Sequence, residues 1–516
     1  MGNCKVQMCQ TCLQSNSEHT LYFDRLESQL SYFSQQTYRQ FNDCTYIRKD
    51  NVLRIPSHLD NAISCDYVVY QNTDYSNKWY FAFVKEAKYI NDGCTELILE
   101  TDVIQTYLFD YSVGPCFVER EHVSDDTIGL HTIPENVQLG EFVCDSYSKD
   151  ENLKPSEYIV VGSTVGQTPA GTYEECMGTR YSGIFSGPFY FKYKWHDMQT
   201  FLQGVVNKKD ETAISSLFLA PEFLIPSLTE ENRFKGDIQG SLVPYWYNVL
   251  KSKPTTLNGY KPKNNKLLTS PYVYLYVSNG NGATAEYNYE FFKESDGSEG
   301  SCNFKVIGSL TPGCSIRLIP QYYKGVENNE GEGINLGKYP QCNWATDQFT
   351  NWLTQNGVNV AGSIVGAGLS IAGGIATGGL ALAVGGSSII SVASTINEVY
   401  KAYRQPPQTS GNINCGDVVC SNGDNTFHFY QMSIKKEYAQ LIDEFFSMYG
   451  YKVNRVKIPN KNHRYYWWYT KTIDANIKGT IPNNDRLKIK ELYDKGITFW
   501  KYPNYFKEYS YNNAII

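Results

Sequence analysis

Charge is missing from one long stretch of this chain. Between Asp347 and Glu398 there is no Asp, Glu, Lys or Arg. Such a stretch cannot be held by salt bridges, so it depends on apolar packing or on lipid. Long basic runs are also missing, and the net charge is −7, which excludes tight nucleic-acid binding as the main activity. DNA passing along an acidic or neutral wall is compatible with that balance. Met1 to Ser15 has no apolar core of a secretory signal, so synthesis and assembly in a reducing cytosol are expected. Catalytic signatures are lacking too: no Gly-x-x-x-x-Gly-Lys-Ser/Thr, no His-Glu-x-x-His and no Gly-x-Ser-x-Gly. The seven histidines (His19, His58, His122, His131, His196, His428 and His463) form no metal-like pair. Cys9-x-x-Cys12, with Cys4 nearby, is half of a zinc site without a second pair at finger spacing. Asp125-Asp126 and Glu174-Glu175 read as solvated loop charges. The expectation is a chain that is not an enzyme, with no cofactor and no metal.

What fills the uncharged stretch is specific. Val358 to Ile396 contains only Gly, Ala, Val, Ile, Leu, Ser and Thr, plus Asn359. Its apolar positions are Val358, Val360, Ile364, Val365, Leu369, Ile371, Ile375, Leu380, Leu382, Val384, Ile389, Ile390, Val392 and Ile396. Nine glycines interrupt it, including the pairs Gly373-Gly374, Gly378-Gly379 and Gly385-Gly386. The length suffices to cross a bilayer once, or twice as a hairpin. Gly costs about 1 kcal/mol relative to Ala in a helix interior, and Gly, Ala and Ser add little transfer energy. A buried Gly/Ala-rich helix pair, a permanent membrane anchor and a flexible linker are alternative readings. The composition favours a segment hidden in one state and exposed to membrane in another.

The rest of the 516 residues is rich in strand formers. Aromatics make up 15 %, with 42 tyrosines, and Tyr tolerates both burial and water on a sheet. Fourteen cysteines at irregular spacing read as reduced, small apolar residues. Residues 1–60 are expected to hold short strands and loops. From Ser64 an antiparallel meander is predicted, with strands at 65–70, 78–90, 94–100 and 116–123, a strand or short helix at 102–109, and a hairpin turn at Asp92-Gly93. Further strands are expected at 157–161, 188–195, 272–278, 284–292 and 316–323, with a turn at Asn279 to Gly282 and a looser helical pattern at 196–218. A helix is expected over 341–355, and residues 409–423 read as a polar loop. A helix over 435–449 places Tyr438, Leu441, Ile442, Phe445 and Tyr449 on one face and Asp443 away from it. Gly450 then ends it. A second helix spans 482–495 and stops at Gly496. Arg464-Tyr465-Tyr466-Trp467-Trp468-Tyr469 reads as wall or subunit interface before sugar-stacking platform.

Two groups of motifs carry a resemblance. Near the N-terminus stand Tyr70-Gln71-Asn72-Thr73-Asp74-Tyr75-Ser76-Asn77-Lys78-Trp79-Tyr80, Glu100-Thr101-Asp102-Val103-Ile104-Gln105-Thr106 and Phe117-Val118-Glu119-Arg120-Glu121-His122-Val123. Near the C-terminus stand Phe445 to Asn460, Gly479-Thr480-Ile481-Pro482-Asn483-Asn484-Asp485 and Gly496-Ile497-Thr498-Phe499-Trp500. Together they cover about a third of the chain. They resemble the distal tail knob, or tail tube, protein of small short-tailed phages that infect Gram-positive bacteria, and the long Gly-rich apolar loop stands where that family has one. The resemblance implies a mainly β fold with some α (α+β) and a tube wall of β-barrel type built from several subunits. It implies a tube part in residues 1–150, one or more mostly β insertion domains in 151–345, a membrane-active loop in 346–410 and a C-terminal α/β tube part in 411–516. It further implies a virion protein at the tail tip, assembled in the host cytoplasm as a homohexamer. Its partners would be other tail proteins (collar, plug or tip), the host cell membrane on infection, and double-stranded DNA in transit. The implied function is a conduit for DNA ejection whose apolar loops plug the lumen and then insert as a pore. The alternative is a receptor-binding or cell-wall-degrading tail-tip protein with a purely structural apolar segment.

Overall fold

Six strands near the N-terminus close on themselves. In spatial order they are Cys4–Cys9, Thr37–Ile47, Val52–Ile55, Cys94–Thr101, Trp79–Asn91 and Tyr67–Asn72, each antiparallel to its neighbour. The period-2 pattern puts Val6, Met8, Leu53, Val68, Ala82, Leu97 and Leu99 inside with Cys4 and Cys44. A barrel this narrow is filled by its own side chains, so it is a packed core and not a pore. Asp92-Gly93 joins the two longest-paired strands, with Asn91 opposite Cys94, as a two-residue hairpin turn requires.

The computed structural model describes residues 4–72, 77–175, 180–181, 184–185, 189–208, 213–225, 234–236, 238, 245–293, 301–339, 341–343, 418–419 and 425–516. The chain divides into two units, one of Met1–Glu141, Thr256–Tyr272 and Ile434–Ile516, the other of Phe142–Thr255 and Val273–Ser433. The first unit therefore draws on both ends of the chain. Beside the barrel it holds a five-stranded sheet ordered His19–Leu21, Ile497–Trp500, Trp467–Ile473, Cys116–Glu121, Tyr451–Lys457. Trp467, Trp468 and Trp500 are fully buried in it. The two tryptophans of the 464–469 run are thus sheet interior within one chain, and cannot act as a sugar platform.

Residues 1–60 hold more than short strands and loops. A helix spans Leu26–Gln35 and the following strand runs for 11 residues. Only Gln29 and Phe33 of that helix are buried, so its periodicity is faint. Phe33 stacks on Tyr67 at 5.3 Å, which supplies the packing that propensity does not. The short helix Val103–Tyr107 takes the place left open between strand and helix, capped by Asp102.

The helix Lys436–Tyr449 turns a different face inward from the one its pattern suggests. Ala439, Ile442, Asp443 and Phe446 are buried, while Leu441 is 63 % exposed. It ends at Gly450, whose φ is 66° and ψ −153°, a region essentially restricted to Gly. A Cβ there would stand 2.1 Å from the carbonyl oxygen of Glu121. Gly450→Ala is expected to cost about 2 kcal/mol or more, as lost stability in urea unfolding.

The second unit is built on three larger sheets, with two two-stranded ribbons within 165–185. One is ordered Phe142–Lys149, His428–Ile434, Val273–Ser278, Thr284–Tyr287; a second Phe189–Tyr193, Pro155–Ser163, Ile214–Pro221, Gln341–Asn343, Val418–Val419. The third is Tyr245–Lys251, Cys302–Ser309, Ser315–Tyr323, Val326–Asn328, with Ile334–Asn335 also on Ser315–Tyr323. The helical pattern at 196–218 resolves into the helix Trp195–Asn207 followed by the strand Ile214–Pro221. That strand is buried on both faces along most of its length, and a continuous apolar run does not reveal its period. The turn Asn279 to Gly282 forms as expected, with Asn279 Oδ1 accepting from the N–H groups of Asn281 and Ala283 at 2.8 and 3.0 Å.

Candidate functional site

Where a helix is expected from Gln341 onward, residues Gln341–Asn343 form a strand instead. This strand pairs with Ile214–Pro221 on one side, Phe218 lying opposite Gln341. On its other side it pairs antiparallel with Val418–Val419, Gln341 opposite Val419 and Cys342 opposite Val418. The two strands that flank residues 344–417 in the sequence thus lie side by side at the end of one sheet, about 5 Å apart. The apolar positions from Val358 to Ile396 and the six paired glycines lie outside the described residues. Among the described residues no helix is long and apolar enough to cross a membrane. Sequence reasoning missed the clasp. Its only signal is the β-branched pair Val418-Val419 inside a run that otherwise reads as polar loop.

The first unit fixes its non-regular segments by buried carboxylates. Asp443 accepts from Tyr260 Oη at 2.7 Å, from the N–H groups of Lys263 and Asn264 at 2.7 and 3.0 Å, and from Asn264 Nδ2 at 2.8 Å. Asp126, expected to be solvated, accepts instead from Tyr451 Oη at 2.6 Å and from the N–H of Asn265 at 2.9 Å. Burial pushes its carboxyl up, against those hydrogen bonds. The Glu135 side chain is fully buried between Arg120 and Lys266. Glu121 accepts from Lys457 Nζ and from the N–H of Asn460. The loops at 122–141 and 256–272 are therefore held by charge-assisted hydrogen bonds and not by strand pairing.

Asp102 joins the barrel to the helix it caps. It accepts from Tyr67 Oη at 3.0 Å and from the N–H of Gln105 at 3.1 Å. Burial raises its carboxyl to about 6, with those bonds opposing. The unfolded chain releases this proton near pH 3.9, so between pH 4 and 6 the folded state holds the proton more tightly. The favourable contribution is complete below pH 4 and is lost as pH rises through 6. Asp102→Asn, which keeps an acceptor for Gln105, is expected to be more stable than the parent at pH 8 by roughly 1–3 kcal/mol. The difference should vanish below pH 4 in melting curves taken across that range.

The buried cysteines Cys4, Cys9, Cys44, Cys65 and Cys302 behave as apolar packing groups. Burial pushes the Cys4 and Cys9 thiols to about 11 and the Cys44, Cys65 and Cys302 thiols to about 12, opposite to what a metal-binding or reactive thiolate needs. His122 is buried neutral, kept well below its usual range by burial and by Arg464 beside it.

Comparison with known proteins agrees with these features. Residues 238–514 match the family model described as the tail knob protein gp9 of Bacillus phage phi29, C-terminal domain. Residues 3–112 match that of the caudoviral major tail protein N-terminus. The tail knob protein gp9 of Bacillus phage B103 is 26 % identical, over 96 % of this chain and 96 % of that protein. The same protein of Bacillus phage PZA is 25 % identical, over 94 % of both chains. That of Bacillus phage phi29 is 24 % identical, over 89 % of this chain and 88 % of its own. Among solved structures, the bacteriophage C1 tail knob protein gp12 has a TM-score of 0.64, covering 99 % of this chain and 100 % of that one at 12 % identity, a likeness of fold. Barrel, C-terminal helices and apolar insertion all fall inside this similarity. The chain belongs to the tail knob protein gp9 family, and is a structural component of a short-tailed phage's tail, not an enzyme.

Proposed function

We propose that several copies of this chain form the wall of the distal tail tube through which DNA is ejected, and that the stretch around Val358 to Ile396 plugs the lumen and then enters the host membrane as a pore. The clasp between Gln341–Asn343 and Val418–Val419 carries this reading. A segment tied at both ends to one sheet edge enters and leaves lipid on the same side, so it crosses an even number of times. At about 20 residues per pass, Val358 to Ile396 has the length for a hairpin of two passes.

Two arguments support the wall. The barrel inside one chain is packed solid, so a DNA channel must lie in the space that several copies enclose. The resemblance puts that number at six, with other tail proteins at the ends of the tube. Tethering several weakly apolar segments on one ring also raises their effective concentration at a membrane. In this reading the unit containing the barrel is the wall, and the unit of Phe142–Thr255 and Val273–Ser433 carries the inserting segment.

The test uses the full chain and a deletion of residues 358–396. The deletion keeps residues 344–357 and 397–417 between the two paired strands, a chain long enough to close that loop with little strain. Dye release from liposomes by the full chain, lost in a deletion that still forms rings by electron microscopy, is the expected result. Intact rings that never release dye would reduce the segment to a structural plug.

A further inference from the structure

Two of the places where the first unit exposes apolar side chains carry opposite charge. On the five-stranded sheet, Ile473 and Val456 each lie opposite Phe117 from the neighbouring strand on either side. The three side chains therefore form one row. Val456 is 70 % exposed, Ile473 53 %, and Leu487 of the helix Asn483–Lys495 is 47 % exposed. With Arg486 and Lys490 they line a groove of about 620 Å³. Lys490 is matched by Asp474, while the Arg486 guanidinium donates to the side-chain oxygen of Asn483 at 2.6 Å. Aliphatic side chains gathered in one open groove with a cationic rim mark an interaction surface.

The second place is the end of the barrel hairpin. Tyr89 is 52 % exposed and Ile90 46 %. Tyr89 Oη donates to Asp92 at 2.7 Å, and the His58 ring packs edge-on to Tyr89 at 6.0 Å. His58 also approaches Asp60 at 3.3 Å. The Asp60 and Asp92 side chains are 84 % and 92 % exposed. This is a projecting apolar pair with an anionic rim.

We propose that the hairpin end of one copy seats in the groove of the next copy. Tyr89 and Ile90 cover Phe117, Val456, Ile473 and Leu487, and the Asp60 and Asp92 carboxylates meet Arg486. The occupant is a second copy because the complementary charge and shape lie on the same chain. Two grooves pressed together would instead bring Arg486 against its own counterpart, which like charges oppose. Joining two different patches head to tail gives a heterologous contact, which makes rings where the rotation closes. The inference rests on the ring reading above and specifies its joint.

Native mass spectrometry of the full chain tests it with two double variants. One is Val456→Asp with Leu487→Asp in the groove; the other is Tyr89→Asp with Ile90→Asp on the hairpin. Each variant alone is expected to be monomeric with an unchanged melting transition. An equal mixture is expected to stop at dimers, since each pair retains one sound hairpin and one sound groove. As an independent measurement, Arg486→Glu should weaken assembly at least tenfold and Asp92→Arg in the same chain should restore it. Rings from both double variants, or a mixture that stays monomeric, would overturn the joint. Assembly lost only in the groove variant would assign the groove to another partner. A parent chain that is monomeric at every concentration would instead remove the ring reading itself.

Discussion

Asp443→Ala is expected to destabilise the first unit by about 3–5 kcal/mol in urea unfolding at pH 7. The carboxylate is 1 % exposed and takes hydrogen bonds from four donors on Tyr260, Lys263 and Asn264. Alanine leaves two backbone N–H groups and a phenol without their acceptor, and an unmet buried donor costs about 1–3 kcal/mol. Asp443→Asn keeps one acceptor oxygen but turns an amide NH₂ toward donors, so it should recover only part of the loss. Leu441→Ala on the same helix should change stability by less than about 0.5 kcal/mol, because that side chain is 63 % exposed. The order of these three is the reverse of what hydrophobic pattern alone assigns to the helix. Amide exchange at Lys263 and Asn264 reports the local event: in Asp443→Ala it should approach the rate of an open loop.

That reversal shows where the sequence is legible and where it is not. Elements set by local chemistry could be read directly. Asp92-Gly93 makes a hairpin turn because Asn, Asp and Gly favour turns locally, the Gly93 N–H donating to Asn91 Oδ1 at 3.0 Å. Gly450 and Gly496 end their helices at φ of 66° and 102°, conformations that other residues resist. The family was legible because its motifs lie in these same elements at both ends of the chain. The inward face of the 436–449 helix was not, because a buried Asp is indistinguishable in sequence from a solvated one until its donors, nearly two hundred residues away, are in place. Asp126 was misread for the same reason. The barrel closes through Cys4–Cys9 on Tyr67–Asn72, a pairing of separated segments that no local period encodes. The clasp on Val418–Val419 is two residues long, too short for any alternation to register.

Composition carried the remaining signal, and it speaks to transfer energy more than to shape. The absence of charge from Asp347 to Glu398 is compatible with lipid, as the proposed function requires. The structure adds its boundary condition, two ends on one sheet edge. Neither observation alone distinguishes a plug from an anchor. Together they limit a membrane state to hairpins, which is why the liposome experiment is designed around a deletion that leaves the clasp intact.

Glu135→Leu is expected to cost a similar amount, about 3–5 kcal/mol, by stranding the buried Lys266 ammonium. The Glu135 side chain is 0 % exposed and Lys266 3 %. Lys266 Nζ donates to Glu135 at 2.5 Å and to the Ile133 carbonyl at 2.9 Å, and the Lys452 N–H donates to Glu135 at 2.8 Å. Burial pulls the Lys266 ammonium below its ordinary range, and Glu135 opposes that shift. Without Glu135 the ammonium falls further, while the unfolded chain holds its proton to about pH 10.4. The unfolded state then binds more protons, so the variant's stability rises with pH through this window. Its deficit against the parent should narrow between pH 8 and 10. Adding Lys266→Met removes the stranded ammonium and should recover much of the loss, because an apolar pair of similar volume often replaces a buried ion pair without penalty. Arg120 remains satisfied in that double variant, donating to the Gly450 carbonyl at 2.7 Å with its guanidinium 4.7 Å from the centre of the Phe445 ring. A double variant as unstable as the sum of its two single changes would mean that Glu135 holds the 122–141 loop mainly through the Lys452 N–H, and that the ion pair with Lys266 adds nothing.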